Sequence, residues 1–128
     1  MLKILIADDS LLIRQLLKPT LVKICSCEID DAEDGQQALQ MMELNTYDLI
    51  LLDWNMPKLS GEEALRAVRA GLGPNKESSV IMVTAEADRE HVLKLATLGI
   101  SGYIVKPFTS VVLEEKIRHV LKSRIQLG

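Results

Sequence analysis

The sequence predicts an α/β fold in which a five-stranded parallel sheet carries helices on both faces. Strand-like and helix-like patterns alternate five times along the 128 residues, as right-handed strand-helix-strand crossovers require. The run Leu49-Ile50-Leu51-Leu52 is apolar at every position and is followed shortly by Pro57, the composition of a strand covered above and below. Polar and charged residues stand where four of the strands end, at Asp8-Asp9, Asp53, Thr84 and Lys106. In open α/β sheets those carboxyl ends form the rim at which ligands collect.

The first strand, Leu2 to Ala7, is apolar except for Lys3 and stops at Asp8-Asp9. Ser10 then has the side chain of an N-cap and opens a helix with Leu12, Ile13, Leu16 and Leu17 on one stripe. Pro19 removes a backbone donor and crowds the preceding turn. A kink or break is therefore expected there, with Leu21 and Ile24 continuing the stripe in a second short piece. Residues 27–33 read as the most polar strand, Ile29 and Ala32 standing among Glu28, Asp30, Asp31 and Glu33, so they are expected at a sheet edge.

Asp34-Gly35 turns the chain into a helix with Ala38, Leu39 and Met42 inward, and the central strand ends at Asp53. Lys58-Leu59-Ser60-Gly61 leads into a third helix holding Leu65 and Val68. Gly71 to Ser78 is a loop by its Gly, Pro and Asn content, and its glycine and lysine spacing is not that of a nucleotide-binding phosphate loop. Val80 to Val83 is the fourth strand, ending at Thr84. Asp88 to Leu98 is a helix with Val92, Leu95 and Ala96 buried and Gly99 at C′. Tyr103-Ile104-Val105 is the fifth strand, ending at Lys106-Pro107. Ser110 is expected to cap a last helix with Leu113, Ile117, Val120 and Leu121 inward.

Residues 1–128 fit one compact domain that buries roughly two thirds of its unfolded surface, and no pattern in them points to a second, output domain. A net charge of −3 with scattered Lys and Arg leaves no footprint for nucleic acid or anionic lipid. No apolar run approaches the ~20 residues that cross a bilayer, and Asp8-Asp9 cuts short a start that otherwise resembles a signal peptide. Cys25 and Cys27 lack zinc-site spacing and read as reduced thiols of a cytoplasmic protein. His91 and His119 are expected in solvent, and Trp54 half exposed.

In a parallel sheet the strand ends share one rim, so three carboxylates, a hydroxyl and an ammonium converge. Two carboxylates ~5 Å apart repel by roughly 3 kcal/mol at an effective dielectric of ~20, and one lysine cannot neutralise three acids. Oxygen ligands without a soft donor suit Mg²⁺. With that ion present the pocket accepts a phosphoryl group, and an aspartate there can be its nucleophile.

Asp8-Asp9, Asp53-Trp54-Asn55-Met56-Pro57, Thr84-Ala85-Glu86-Ala87 and Lys106-Pro107, each after its strand, resemble the receiver domain of bacterial two-component response regulators, most nearly single-domain chemotaxis regulators of the CheY type. The resemblance implies the flavodoxin-like strand order 2-1-3-4-5, for which CheY is a standing example. It implies that Asp53 accepts phosphate from a sensor histidine kinase. Asp9, Asp53 and the backbone carbonyl of Asn55 would ligate Mg²⁺, with Asp8 acting mainly through water. Lys106, Thr84 and Ala85 would hold the phosphoryl group, Thr84 and Tyr103 would be the switch pair, and Lys106-Pro107 a cis peptide. Asn55 and Glu86 would tune dephosphorylation.

Such a chain catalyses its own phosphorylation and dephosphorylation without being an enzyme in the ordinary sense. Its output is a protein target bound at the fourth helix, fifth strand and fifth helix, near Tyr103, Val105 and Lys116. It is expected to be a monomer, with a dimer allowed on phosphorylation. Pro19 and the paired cysteines depart from the pattern, on the first helix and before the second strand.

Two rivals use related folds. A Mg²⁺-dependent aspartyl-phosphate phosphatase of the haloacid dehalogenase type pairs its nucleophile with a second acid two residues on, where this chain has Asn55. An FMN-binding domain needs a Ser/Thr/Gly run after the first strand, which is absent, and a less acidic rim.

Overall fold

The structure is a computed structural model that describes residues 1–71, 73–85 and 89–122. The elements alternate in chain order as β1 (Leu2–Ala7), α1 (Leu11–Ile24), β2 (Cys27–Ala32), α2 (Gly35–Leu44), β3 (Leu49–Asp53), α3 (Gly61–Ala70), β4 (Ser79–Thr84), α4 (Arg89–Thr97), β5 (Gly102–Val105) and α5 (Ser110–Leu121). All strands are parallel, in the order β2-β1-β3-β4-β5. The acidic β2 therefore lies at an edge and the wholly buried β3 at the centre.

Successive strand residues point to opposite faces, and the core divides accordingly. Leu5, Ala7, Ile50, Leu52, Val80 and Met82 pack with Ala38, Met42, Ala64 and Leu65 of α2 and α3. Ile4, Ile6, Leu49, Leu51, Ile81 and Val83 pack with Leu17 and Leu21 of α1 and with Leu113 and Ile117 of α5. Two apolar layers on one sheet leave its carboxyl-end rim as the place where polar side chains gather.

The structure corrects several local expectations. Pro19 lies inside α1, which runs unbroken from Leu11 to Ile24. An interior proline costs about 3 kcal/mol, but burying Leu17, Leu21 and Ile24 recovers about 1.5–3 kcal/mol each. Pro19 and Gln15 are both exposed, so water can satisfy the Gln15 carbonyl that the proline leaves without its helical donor. Leu12 and Leu16 are not inward: they are 64% and 51% exposed, because the buried stripe is Arg14, Leu17, Thr20, Leu21 and Ile24.

The last helix is capped by Thr109 rather than Ser110. The Thr109 hydroxyl accepts from the Val112 N–H at 3.2 Å, while the Leu113 N–H that Ser110 would need donates to the Thr109 carbonyl. On α4, Ala96 is exposed, and Leu98, just past the helix, is buried. Asp88 and the Val92 and Leu95 side chains lie outside the described residues. Gly99 takes φ +70°, the left-handed conformation foreseen for a residue ending α4. Trp54 is only 8% exposed and packs in the core with Ala64 and Leu65. Among the described residues no helix is long and apolar enough to cross a membrane.

Candidate functional site

Ladder register brings the strand ends level. Ala7 pairs with Leu52 and Ala32, Asp53 with Val83, and Thr84 with Val105. Asp8, Asp53, Thr84 and Lys106 therefore meet at one end of the sheet. One carboxylate oxygen each from Asp8, Asp9 and Asp53 lies within 4.8 Å of the other two. The rim foreseen from the strand ends is present as a geometric cluster.

Asp8 is buried and tied at several atoms. Its N–H extends the β1–β2 ladder to the Ala32 carbonyl at 3.0 Å, Oδ1 accepts from the Ser10 N–H at 2.9 Å, and Oδ2 accepts from Lys106 Nζ at 2.9 Å. Asp9 is exposed. Lys106 Nζ also lies 3.4 Å from Asp53 Oδ2, and its backbone N–H donates to the Thr84 carbonyl at 2.8 Å, placing β5's end against β4's. The Lys106-Pro107 bond is cis.

Asp53 closes β3 and is buried. Burial pushes its carboxyl up to about 6, the negative charge of Asp8 adds to the rise, and Lys106 and the Asn55 backbone N–H oppose it. For Lys106 burial works against the charged form, but the Asp8 hydrogen bond and the charges of Asp53 and Asp8 outweigh it and hold the ammonium above its ordinary range. Against three carboxylates the described ion pairs set this single ammonium. Like charges within 4.8 Å repel by about 3 kcal/mol at an effective dielectric of ~20. A donor set of carboxylate oxygens relieved by a hard divalent ion fits Mg²⁺.

Of the remaining foreseen residues, Thr84 is fully buried at the end of β4 and Ala85 is exposed beside it. Asn55 is exposed two residues past Asp53. Tyr103 is half-buried against the α2/α3-side core, with Lys116 Nζ 6.0 Å from its ring centre. Glu86 lies outside the described residues.

The start of α3 is held close against the end of β3. The Gly61 N–H donates to the Trp54 carbonyl at 2.8 Å, and a Cβ on Gly61 would stand 2.0 Å from the Asp53 carbonyl oxygen. Only a glycine lets α3 start this close to the end of β3. Ser60 and Glu63 complete a reciprocal capping box at that start. Arg14 was missed: its guanidinium donates to the Asp8 carbonyl and, at 3.0 Å, to Asp31. The available signal was its phase, three, seven and ten residues before Leu17, Leu21 and Ile24 on the buried stripe.

Comparison with known proteins agrees with this architecture. The response regulator receiver domain family matches residues 4–118. The chain is 42% identical over 121 residues to the chemotaxis protein CheY of Pseudomonas aeruginosa, covering 94% of this chain and 97% of that protein. It is 39% identical to chemotaxis protein CheY-3 of Vibrio cholerae, covering 94% and 92%. Among solved structures, CheY4 of Vibrio cholerae superposes with a TM-score of 0.85 at 35% identity, covering 94% of this chain and 99% of that one. The receiver domain of a Pseudomonas aeruginosa sensor histidine kinase, solved with a magnesium ion coordinated in its active site cleft, gives 0.81 at 26% identity, covering 94% and 98%. With the family matched over nearly the whole chain and the rim assembled from its own residues, this chain belongs to the response regulator receiver domain family, as a CheY-type, phosphorylation-regulated signalling switch.

Proposed function

We propose that Asp53 takes a phosphoryl group from the phosphohistidine of a sensor histidine kinase, with Mg²⁺ as cofactor at Asp8, Asp9, Asp53 and the backbone carbonyl of Asn55. The observation that carries this reading is the meeting of three carboxylates within 4.8 Å of one another, with the Lys106 ammonium against two of them. A bound Mg²⁺ supplies positive charge against phosphoryl oxygens. Supporting the choice of ion, a related receiver domain holds magnesium in its active site cleft.

The protein's own groups account for the remaining chemistry. An Asp53 oxygen attacks phosphorus, the nitrogen–phosphorus bond of the donor breaks, and the imidazole leaves. Attack needs the ionised carboxylate. The Lys106 ammonium already favours that ionised form against burial and the charge of Asp8, and a cation bound beside it would favour it further. Lys106 neutralises phosphoryl oxygens, and the Thr84 hydroxyl with the Ala85 N–H donates to them. By likeness to the family, the residues at Asn55 and Glu86 tune the lifetime of the phosphoaspartate.

The same reading makes Thr84 and Tyr103 the switch. Thr84, drawn toward the phosphoryl group, vacates space that the half-buried Tyr103 ring enters, which biases a pre-existing two-state equilibrium. The surface read out is α4, β5 and α5 around Tyr103, Val105 and Lys116, where a protein target binds. By likeness to its relatives the output is chemotaxis, in the cytoplasm.

Incubation with acetyl phosphate and Mg²⁺ tests the reading. It should incorporate one phosphate per chain, decaying slowly and absent from Asp53→Ala. Sustained turnover of p-nitrophenyl phosphate that is lost in Asp53→Ala would assign a phosphatase instead.

A further inference from the structure

We propose that Arg14 is a positioning residue for the acidic turn, holding the Asp8–Asp9 peptide in the orientation that offers Asp9 to the ion. The inference rests on Asp8, Asp9 and Asp53 being the metal-binding carboxylates. Arg14 is 8% exposed on α1, and a buried guanidinium is tolerated only with its donors satisfied. Its donors divide between two parts of the fold: Nε reaches Asp31 on the edge strand at 3.0 Å, and a terminal nitrogen reaches the Asp8 carbonyl at the rim.

The division identifies the purpose. Asp31 already has a cation, since Lys18 Nζ lies 2.8 Å from its other oxygen. Charge compensation on β2 therefore does not require a buried arginine. The Asp8 carbonyl is different, because it belongs to a buried residue and Arg14 is a donor brought to it from another element.

The other hydrogen bonds of Asp8 run to Ala32, Ser10 and Lys106, and all of them lie on the N-terminal or side-chain side of its Cα. The carbonyl contact acts on the peptide that leads to Asp9. That peptide is planar, so fixing its oxygen fixes the nitrogen and Cα of Asp9. A guanidinium fork can serve two acceptors in fixed directions, whereas an ammonium is a point charge.

Arg14→Met, Arg14→Lys and Asp31→Asn separate the two contacts. Mg²⁺ titration followed by Trp54 fluorescence reports the ion. Amide hydrogen exchange of Ser10 in EDTA reports the turn without metal, with Ile6 in β1 as reference. Both Arg14 variants should bind Mg²⁺ roughly tenfold more weakly, the usual loss when a group orienting a metal ligand is removed. Ser10 exchange should quicken about fivefold with Ile6 unchanged, the mark of local rather than global opening. Asp31→Asn, which keeps an acceptor for Nε, should leave both readouts within about twofold of the parent.

Wild-type behaviour of Arg14→Lys in both readouts overturns the proposal. So does an Asp31→Asn variant that reproduces the losses, or an Arg14→Met variant that speeds Ile6 as much as Ser10. If the parent protein itself gives no Mg²⁺ response, the metal reading fails and Ser10 exchange alone decides the positioning role.

Discussion

Lys106 Nζ lies 2.9 Å from Asp8 Oδ2 and 3.4 Å from Asp53 Oδ2, so one ammonium is shared by two buried carboxylates and sits nearer the one that is not the proposed phosphoacceptor. Removing it leaves two acids facing each other. Lys106→Met should lose about 1–3 kcal/mol at pH 7 in EDTA, the range for a partly buried charge deprived of its partner. The loss should shrink at pH 5, where Asp53 takes up a proton. Urea unfolding at the two pH values measures this, and equal losses at both would show that the carboxylates do not depend on Lys106.

The carboxyl of Asp53 moves from 3.8 to about 6 on folding. The native state then binds the proton more tightly than the unfolded chain, so its contribution is fully present below pH ~4 and is lost as pH rises through ~6. Asp53→Asn removes that dependence. In EDTA it should be about 3 kcal/mol more stable than the parent at pH 7 and nearly equal to it at pH 4. Thermal unfolding of both proteins from pH 4 to 7 supplies the comparison, and a parent curve parallel to that of the variant would contradict the shift.

Trp54 adjoins Asp53 in sequence and its ring is packed in the core beside the rim, so a change of charge at the site reaches the indole. Millimolar Mg²⁺ should quench its fluorescence. Asp9→Asn, which withdraws one of three carboxylates, should raise the half-saturating concentration at least about tenfold. Overlapping titrations of the two proteins would remove Asp9 from the ligand set.

Gly61 tests how tightly α3 is seated on the end of β3. Its absent Cβ would stand 2.0 Å from the Asp53 carbonyl oxygen, whereas a Cβ on Gly73 meets nothing within 4 Å. Gly61→Ala should lose about 2 kcal/mol or more and slow acetyl phosphate labelling, since backbone must move beside the acceptor. Gly73→Ala should stay within about 0.5 kcal/mol of the parent. Denaturant midpoints for the pair decide it.

Because α1 passes through Pro19 without interruption, replacing that exposed residue by alanine restores a helical donor and removes the ring clash. Pro19→Ala should stabilise the chain by about 1–3 kcal/mol. A loss of stability in urea unfolding would mean that the proline serves a contact the helix needs.

The residues of the site were legible because they stand at strand ends. Each end is marked locally by a change from apolar alternation to a polar residue, and parallel strands must finish on the same side. That argument needs no knowledge of distance. It failed on the helices where a tertiary partner outweighed the local signal. Arg14 displaced Leu12 and Leu16 from the inward stripe because its guanidinium finds acceptors just past β1, at Asp8, and on β2, at Asp31. Trp54 went inside because α3 begins directly over β3.

The sequence by itself determined the order of strands and helices, the polar edge at β2, the covered centre at β3 and the group of acids, hydroxyl and lysine at one rim. All of these follow from periodicity and from which residue ends each run. Only the tertiary structure decided that Lys106, 98 residues from Asp8, sits closer to it than to Asp53, that Arg14 reaches the Asp8 carbonyl, and that Gly61 must lack a side chain. Periodicity assigns a residue to a face, but the distance across that face depends on how sheet register and helix packing bring remote segments together.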